Sequence, residues 1–229
     1  MIWRVIKLGD VAPTSWKNGG GTTRELVAWP DADTWVWRMS VAEVAKNGPF
    51  SRLDGVLRWF AVLGGAGVVL THNGARHELN VDSAPFCFDG GLPTACDLID
   101  GATQDFNLMV RMAGDGAATG LAGVACEGRA SATMSRLRGR AIVHGSVLPN
   151  YSKIIAVYSI STGATARFND ENTPFVPRSL VWRALAVHDV IQIAAEDALL
   201  IEIDVADNFA GPGIQVAPPI AATGLGSAS

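Results

Sequence analysis

Charged residues and cysteines are both scarce in this sequence. Aspartate, glutamate, lysine and arginine make up 17% of its 229 residues, and there are only three cysteines, Cys87, Cys96 and Cys126. The cysteines are odd in number and lack Cys-x-x-Cys spacing, which favours buried thiols in a reducing compartment over a disulfide framework or a catalytic thiol. No apolar run approaches the roughly 18 residues of a membrane-spanning helix. We therefore expect a cytoplasmic protein.

Neither the net charge nor the N-terminus indicates a nucleic acid or a membrane as a partner. The formal charge is −4, whereas nucleic acids and anionic membranes require a basic surface. Residues 2–8 contain Arg4 and Lys7 within an apolar stretch and no small-residue cleavage site, so they predict a strand rather than a signal peptide. The hydrophobic content of 48% excludes general disorder. A chain of this length buries roughly 70% of its unfolded surface and needs neither a disulfide nor a metal to hold a core.

Short strands separated by turn residues dominate the pattern, and sustained helical periodicity is rare. Apolar and polar residues alternate clearly at 35–42 and 106–112, and Asn73-Gly74 is typical of a hairpin turn. Further predicted strands cover 57–63, 68–72, 141–144, 154–161, 179–182, 189–193 and 198–204. Many short strands without intervening helices predict an all-β sandwich or barrel, and the similarity of the two halves indicates a duplicated barrel.

A glycine- and alanine-rich stretch at 114–128 separates the two halves. We therefore predict an N-terminal barrel at 1–113 that carries the site and a C-terminal barrel at 114–210. Residues 211–229, which end in small and polar residues, have the composition of a flexible tail.

Arginines stand in the middle of apolar strands in the first half. Period-two alternation places Arg38 beside Ser40 on one strand face, Arg58 on another, and Asn107 with Arg111 on a third. A buried arginine is costly unless it is paired, so these faces either point to solvent or line a polar site with acidic partners or an anionic ligand. The second half shows no comparable pattern, which favours a site in the first half.

Three consecutive glycines, Gly19-Gly20-Gly21, give the segment at 15–25 unusual backbone freedom. The loop matches neither a Walker phosphate loop nor the Gly-x-Gly-x-x-Gly dinucleotide fingerprint. Its amides could cradle an anion, but a flexible turn is the simpler interpretation.

The histidines do not form a recognisable metal or catalytic motif. His72 and His77 flank the Asn73-Gly74 turn, and the His-x-His pattern of metal-binding cupins is absent. We interpret both as exposed hairpin residues. No Ser-His-Asp arrangement or Gly-x-Ser-x-Gly stands out, so we predict no metal and no cofactor.

Four motifs in the first half, taken together, resemble the HutD/Ves family over residues 1–112. They are Trp16-Lys17-Asn18-Gly19-Gly20-Gly21-x-Thr23-x-Glu25, Trp37-Arg38-Met39-Ser40-x-Ala42, Gly48-Pro49-Phe50-Ser51 and Asp105-Phe106-Asn107-x-Met109-x-Arg111. The resemblance implies a bicupin, with two small antiparallel β-barrels of jelly-roll type that lack the usual cupin metal ligands. It further implies a role in moderating histidine utilisation by sensing a small intermediate, or a link to stress responses in the Ves branch.

Two positions depart from the family pattern. Leu57 precedes Arg58 where the family has an acidic residue, and Gly91 replaces an acidic residue after Gly90. These losses leave it open whether the ligand is the same as in other members.

The leading hypothesis is a metal-free protein that binds a small carboxylate in the first barrel. Arginine side chains would bind the carboxylate, asparagines a carbonyl oxygen, Glu25 an arginine or an amino group, and aromatic rings would form apolar walls. The predicted binding residues are Trp16, Asn18, Gly20, Glu25, Arg38, Ser40, Phe50, Arg58, Asn107 and Arg111. The competing interpretation is that Glu25 and the arginines form a buried ionic network that holds the barrel together.

Two other classes of function remain open from the sequence. A hydrolase or isomerase acting on a similar carboxylate would use Glu25 or Asp105 as its general acid or base. A protein-interaction module would expose Trp29, Trp35 or Trp59 to a partner. Pairing of edge strands into a homodimer is also left open.

Overall fold

The computed structural model describes residues 3–112, 130–146, 151–169 and 171–206, and these ranges are all-β apart from a short 3-10 helix at Leu8–Asp10. The predicted fold class is confirmed at this level. The first half contains β1 (Arg4–Lys7), β2 (Thr14–Ser15), β3 (Gly21–Trp29), β4 (Trp37–Val44), β5 (Gly48–Pro49), β6 (Val56–Gly64), β7 (Val68–His72), β8 (Ala75–Leu79), β9 (Phe86–Asp89), β10 (Thr94–Leu98) and β11 (Thr103–Arg111). The second contains β12 (Ala130–His144), β13 (Tyr151–Ser159), β14 (Ala164–Phe168), β15 (Glu171–Phe175), β16 (Ser179–Leu185) and β17 (Val190–Ala206).

These strands form three antiparallel sheets. A six-stranded sheet has the order β2-β3-β4-β11-β6-β9, and a four-stranded sheet has the order β5-β10-β7-β8. The seven-stranded sheet runs β1-β16-β13-β17-β14-β15, with β12 also paired to β17. The strands predicted separately at 189–193 and 198–204 are the single strand β17, which pairs with β14 near its start and with β13 near its end.

The strand β1 crosses the predicted division of the chain. Arg4 pairs with Trp182 and Lys7 with Ser179, so this N-terminal strand lies in the sheet of the second half. The predicted boundary after residue 113 and the predicted tail at 211–229 lie outside the described residues.

The largest hydrophobic core lies between the six-stranded and seven-stranded sheets. Trp37 and Phe106 contribute to it from one sheet, and Trp182 and Ile201 from the other. The rings of Trp37 and Trp182 meet edge to face with centroids 5.3 Å apart. This core therefore joins the two halves of the chain.

The opposite face of the six-stranded sheet packs on the four-stranded sheet. Phe60 and Val62 contact a core that includes Leu70 and Cys96. Because successive side chains on a strand point to opposite faces, β4, β11 and β6 pack one face in the joining core and present the other to the interior of the first half.

Gly21, at the start of β3, lies too close to the neighbouring strand for any side chain to fit. A Cβ atom here would overlap the carbonyl oxygen of Glu43 and lie 3.2 Å from the ring of Trp16. We expect Gly21→Ala to lower the free energy of unfolding by roughly 2–4 kcal/mol in a denaturant titration, because backbone on the paired strand must move. Gly9→Ala is the matched control, since a Cβ at Gly9 meets nothing within 4 Å. Equal effects of the two substitutions would contradict this account.

No helix in the described part of the chain has the length and apolar character to cross a membrane.

Candidate functional site

A cavity of about 520 Å³ opens between the interior face of the six-stranded sheet and the loops that cover it. Seven of its lining residues were predicted from the sequence: Trp16, Asn18, Arg38, Ser40, Phe50, Arg58 and Asn107. The others are Ser15, Lys17, Thr23, Ala42, Val44, Pro49, Ser51, Leu53, Phe60 and Met109. The predicted residues Gly20, Glu25 and Arg111 are not part of this lining.

The register of the sheet explains which side chains share the cavity. Arg38 and Arg58 both pair with Met109 from opposite sides, so the three form one cross-strand row. Asn107 pairs with Ser40 and with Phe60 to form the next row. Since neighbouring strands lie about 4.8 Å apart, the two arginines stand roughly 10 Å apart at their backbones and converge on one space.

Arg58 is the most deeply placed cation of the cavity. The residue is only 6% exposed, and its guanidinium lies 4.9 Å from the ring centroid of Phe50 and 5.1 Å from that of Phe88. Its Nη2 donates to Oδ1 of Asn107 at 3.1 Å, while Nε has no hydrogen-bond partner among the residues that the structure describes. Burial, with a smaller effect from Arg38, lowers the pKa of Arg58 to about 10, so it remains protonated at neutral pH.

No carboxylate among the described residues lies within ion-pair distance of Arg58. The competing interpretation from the sequence was a buried ionic network formed by Glu25 and the arginines. Arg58 is not part of such a network. Its positive charge is stabilised by the rings of Phe50 and Phe88 and by the amide oxygen of Asn107.

Arg38, by contrast, contacts a carboxylate, a thioether sulfur and an aromatic ring. Its Nη1 lies 3.5 Å from Oε2 of Glu25, its Nε donates to Sδ of Met109 at 3.2 Å, and its guanidinium lies 4.9 Å from the ring centroid of Trp35. Burial lowers the pKa of Arg38, which Glu25 opposes and Arg111 reinforces. The Glu25 side chain is 41% exposed, which places this ion pair at the rim.

Arg111 lies beyond the end of the cavity. Its guanidinium is 4.4 Å from the ring centroid of Trp35, on a row of the sheet that pairs with Val56. Alternation places Arg111 on the same strand face as Met109, but Met109 lines the cavity and Arg111 does not.

The segment from Trp16 to Gly21, which contains the three consecutive glycines, forms a compact turn at the edge of the cavity. Asn18 Oδ1 accepts a hydrogen bond from the Gly20 amide at 2.9 Å, and the Gly19 amide donates to the Trp16 carbonyl at 3.0 Å. Trp16 Nε1 donates to Oγ1 of Thr23 at 2.8 Å, which fixes the indole as a wall. The amides of Gly19 and Gly20 are thus used within the loop, which favours the turn interpretation over an anion cradle.

Asp105 lies on the same face of β11 as Asn107 and Met109 but does not line the cavity. It is fully buried, its Oδ2 accepts a hydrogen bond from Oγ1 of Thr103 at 2.8 Å, and its Oδ1 has no hydrogen-bond partner within the described ranges. Burial raises the pKa of Asp105 to about 7, against the opposing effect of Thr103. The pKa of the neighbouring Cys96 thiol is raised to about 12, mainly by burial, as expected for an unreactive core thiol.

Both departures from the family pattern lie away from the cavity lining. Leu57 faces the opposite side of β6 from Arg58, because the two are consecutive on one strand. A side chain at Gly91 would begin 3.1 Å from Oδ1 of Asp54 and 3.2 Å from Oδ1 of Asp89. Neither loss changes a cavity-lining residue.

The histidine pair is not exposed as expected. His72 and His77 are half-buried and pack on Phe86, with ring centroids 6.3 Å and 4.2 Å away. The strand β9 brings Phe86 against the hairpin, a long-range contact that the local sequence does not reveal. Within the described ranges no group of three or more histidines, cysteines or carboxylates is placed to hold a metal.

One buried arginine of the second half was missed. Arg183 on β16 is buried, with its guanidinium 4.2 Å from the ring centroid of Phe168 and 5.5 Å from that of Trp3. Asp189 and Glu171 oppose the lowering of its pKa by burial, so its surroundings, unlike those of Arg58, already include acids. The period-two rule applied to 179–185 would have found it.

The tryptophans considered for partner docking belong to the interior. Trp29 and Trp35 are buried, and Trp59 is partly buried against the core that joins the two halves.

The sequence profile of the HutD family matches residues 9–144, more than half of the chain. This chain belongs to the HutD family. The prediction made from the four motifs is confirmed. Protein Ves from Cronobacter sakazakii is 42% identical to this HutD-family chain over 98 residues, which are 42% of this chain and 54% of that protein. The chain thus spans about half the length of this curated relative.

Solved structures place the HutD-family chain among cupin-like folds. HutD from Pseudomonas fluorescens, solved in a formate condition, has a TM-score of 0.66 at 24% identity and covers 88% of this chain and 98% of that one. The Cupin 2 conserved barrel domain protein from Leptotrichia buccalis has a TM-score of 0.50 at 8% identity and covers 89% and 96%. Identities this low show the fold alone.

Proposed function

We propose that this chain is a small-molecule-binding protein that holds a carboxylate against Arg58 in the cavity of its first half. We further propose that it acts as a cytoplasmic sensor or moderator of histidine utilisation, built as two cupin barrels without a metal. The family name and the HutD neighbour support the link to histidine utilisation. The observation that carries the proposal is a buried guanidinium at the wall of a cavity, with no carboxylate of the described ranges in ion-pair contact.

A carboxylate bound at Arg58 would offset the cost of burying this charge. Burying an arginine costs several kcal/mol unless the charge is compensated, and charge-assisted hydrogen bonds to a carboxylate are among the strongest that proteins form. Phe50 and Phe88 restrict the guanidinium plane, so the carboxylate would approach in that plane.

Asn107 would complete the carboxylate site. Its Oδ1 already accepts from Arg58, which directs its amide nitrogen elsewhere as a donor. The Asn107 amide and the Arg58 guanidinium could therefore both donate to one carboxylate, between the walls formed by Trp16 and Phe50.

Thermal melting and chemical-shift titration against a panel of carboxylates test this function. The panel is urocanate, formiminoglutamate, formylglutamate, glutamate and formate, each compared with its amide. We expect at least one acid to raise the melting temperature by a few degrees at about a hundred times its Kd, whereas its amide does not. No shift and no perturbed resonance with any acid would contradict the proposal.

A further inference from the structure

The two arginines of the cavity differ in their partners. Arg58, at the inner wall, has no carboxylate in ion-pair contact within the described residues, whereas Arg38, near the rim, has Glu25 at 3.5 Å. The arginine at the inner end of the site therefore has its positive charge available to a ligand, whereas the arginine at the outer end is already paired with a carboxylate.

We propose that Glu25 makes the site selective for monocarboxylates over dicarboxylates by neutralising the second arginine. The inference rests on the proposed function, because it assumes that the first carboxylate binds at Arg58. Glu25 is then a specificity-determining residue at the rim.

The register of the sheet determines where the second carboxylate group of a bound dicarboxylate would lie. Arg38 and Arg58 flank Met109 in one cross-strand row, so a dicarboxylate held at Arg58 and extended along this row reaches the guanidinium of Arg38. There it competes with Glu25 and meets a like charge across a short distance. A monocarboxylate leaves its apolar end in this region, beside the Met109 side chain.

Two further contacts occupy the Arg38 guanidinium and limit its access to a ligand. Met109 Sδ accepts its Nε–H group, and the Trp35 ring covers one face of its guanidinium. Arg111 lies against Trp35, outside the lining of the cavity. Lys17 lines the cavity but is exposed, where water and salt screen its charge.

The test compares pentanoate with pentanedioate, two acids of equal chain length, by calorimetric or chemical-shift titration at neutral pH. We expect the wild-type protein to bind pentanoate more tightly than pentanedioate. In Glu25→Gln the ratio of the two affinities should move about tenfold toward pentanedioate, the order expected for removing one unit charge at a partly exposed site. Adding Arg38→Met to Glu25→Gln should cancel this gain.

Glu43→Gln is the matched control, since Glu43 is exposed on β4 and points away from the cavity-side face. It removes the same charge and should leave the ratio unchanged. An unchanged ratio in Glu25→Gln, or an equal change in Glu43→Gln, would overturn the inference and leave the proposed function intact. Failure of the wild type to bind either probe while an acid of the panel binds would also overturn the inference, whereas failure with the panel acids as well would overturn the proposed function itself. Melting curves verify that each variant is folded.

Discussion

Arg58→Met should strongly weaken carboxylate binding without lowering the melting temperature of the unliganded protein. The substitution keeps an unbranched apolar side chain between Phe50 and Phe88 and removes a buried charge that no carboxylate in the described part of the chain pairs with. Replacing buried charges by apolar groups of similar volume is often neutral or stabilising. Binding should weaken by roughly a hundredfold or more, because the charge-assisted hydrogen bonds to the ligand are lost. Calorimetry and thermal melting on the same preparations measure the two effects.

Arg52→Met is the control for a general change of charge. Arg52 is exposed, and its Nε donates to the Gly91 carbonyl at 2.8 Å, outside the cavity lining. It should bind carboxylates as the wild type does. If Arg58→Met instead melts several degrees earlier than the wild type, Arg58 has a structural role and the account is wrong.

Asp105→Asn should stabilise the protein at pH 8.5 and have little effect near pH 4.5. The pKa of Asp105 is 3.8 when unperturbed and about 7 in the folded protein, so the folded state binds more protons between these values. Stability contributed by the protonated carboxyl is therefore complete below about pH 4, declines as the pH rises to 7, and is absent above it. The shift corresponds to at most roughly 4 kcal/mol, or about 8–16 °C in the melting temperature.

The control for this prediction is Asp33→Asn, since Asp33 is exposed in the turn before Trp35. Its melting temperature should follow that of the wild type across the same pH range. A constant difference between wild type and Asp105→Asn at all pH values would show that the Asp105 carboxyl does not titrate near neutrality.

Period-two alternation was sufficient to place the main polar residues of the site on one face. Arg38, Arg58 and Asn107 each follow it, because side chains alternate strictly along a strand that is buried on both sides. The opposite faces, including Phe106 and Leu108, pack in the core that joins the two halves.

Alternation does not determine how far along the strand a cavity extends. Arg111 has the same face as Asn107, yet its row is covered by Trp35, a residue that precedes β4. Glu25 likewise lies at the rim, where its position depends on the register shift between Glu25 and Val27 in β3. Such limits are set by contacts between distant segments, which local pattern does not encode.

Long-range strand pairing also explains why the sequence did not predict the position of β1 or the burial of Arg183. The β1 strand was identifiable as a strand, but its partner β16 lies about 175 residues later, and no local signal specifies that choice. Arg183 was missed because the strand predicted at 179–182 ended one residue before it, whereas β16 continues to Leu185. Its burial between Trp3 and Phe168 depends on the same β1 pairing.

The most direct test of a carboxylate site at Arg58 is a crystal structure at a saturating concentration of the acid that raises the melting temperature most. We expect its carboxylate oxygens within hydrogen-bond distance of the Arg58 guanidinium and the Asn107 amide, with the remainder of the molecule against Trp16 and Phe50. An acid bound elsewhere, with Arg58 still unpaired beside the cavity, would contradict the account.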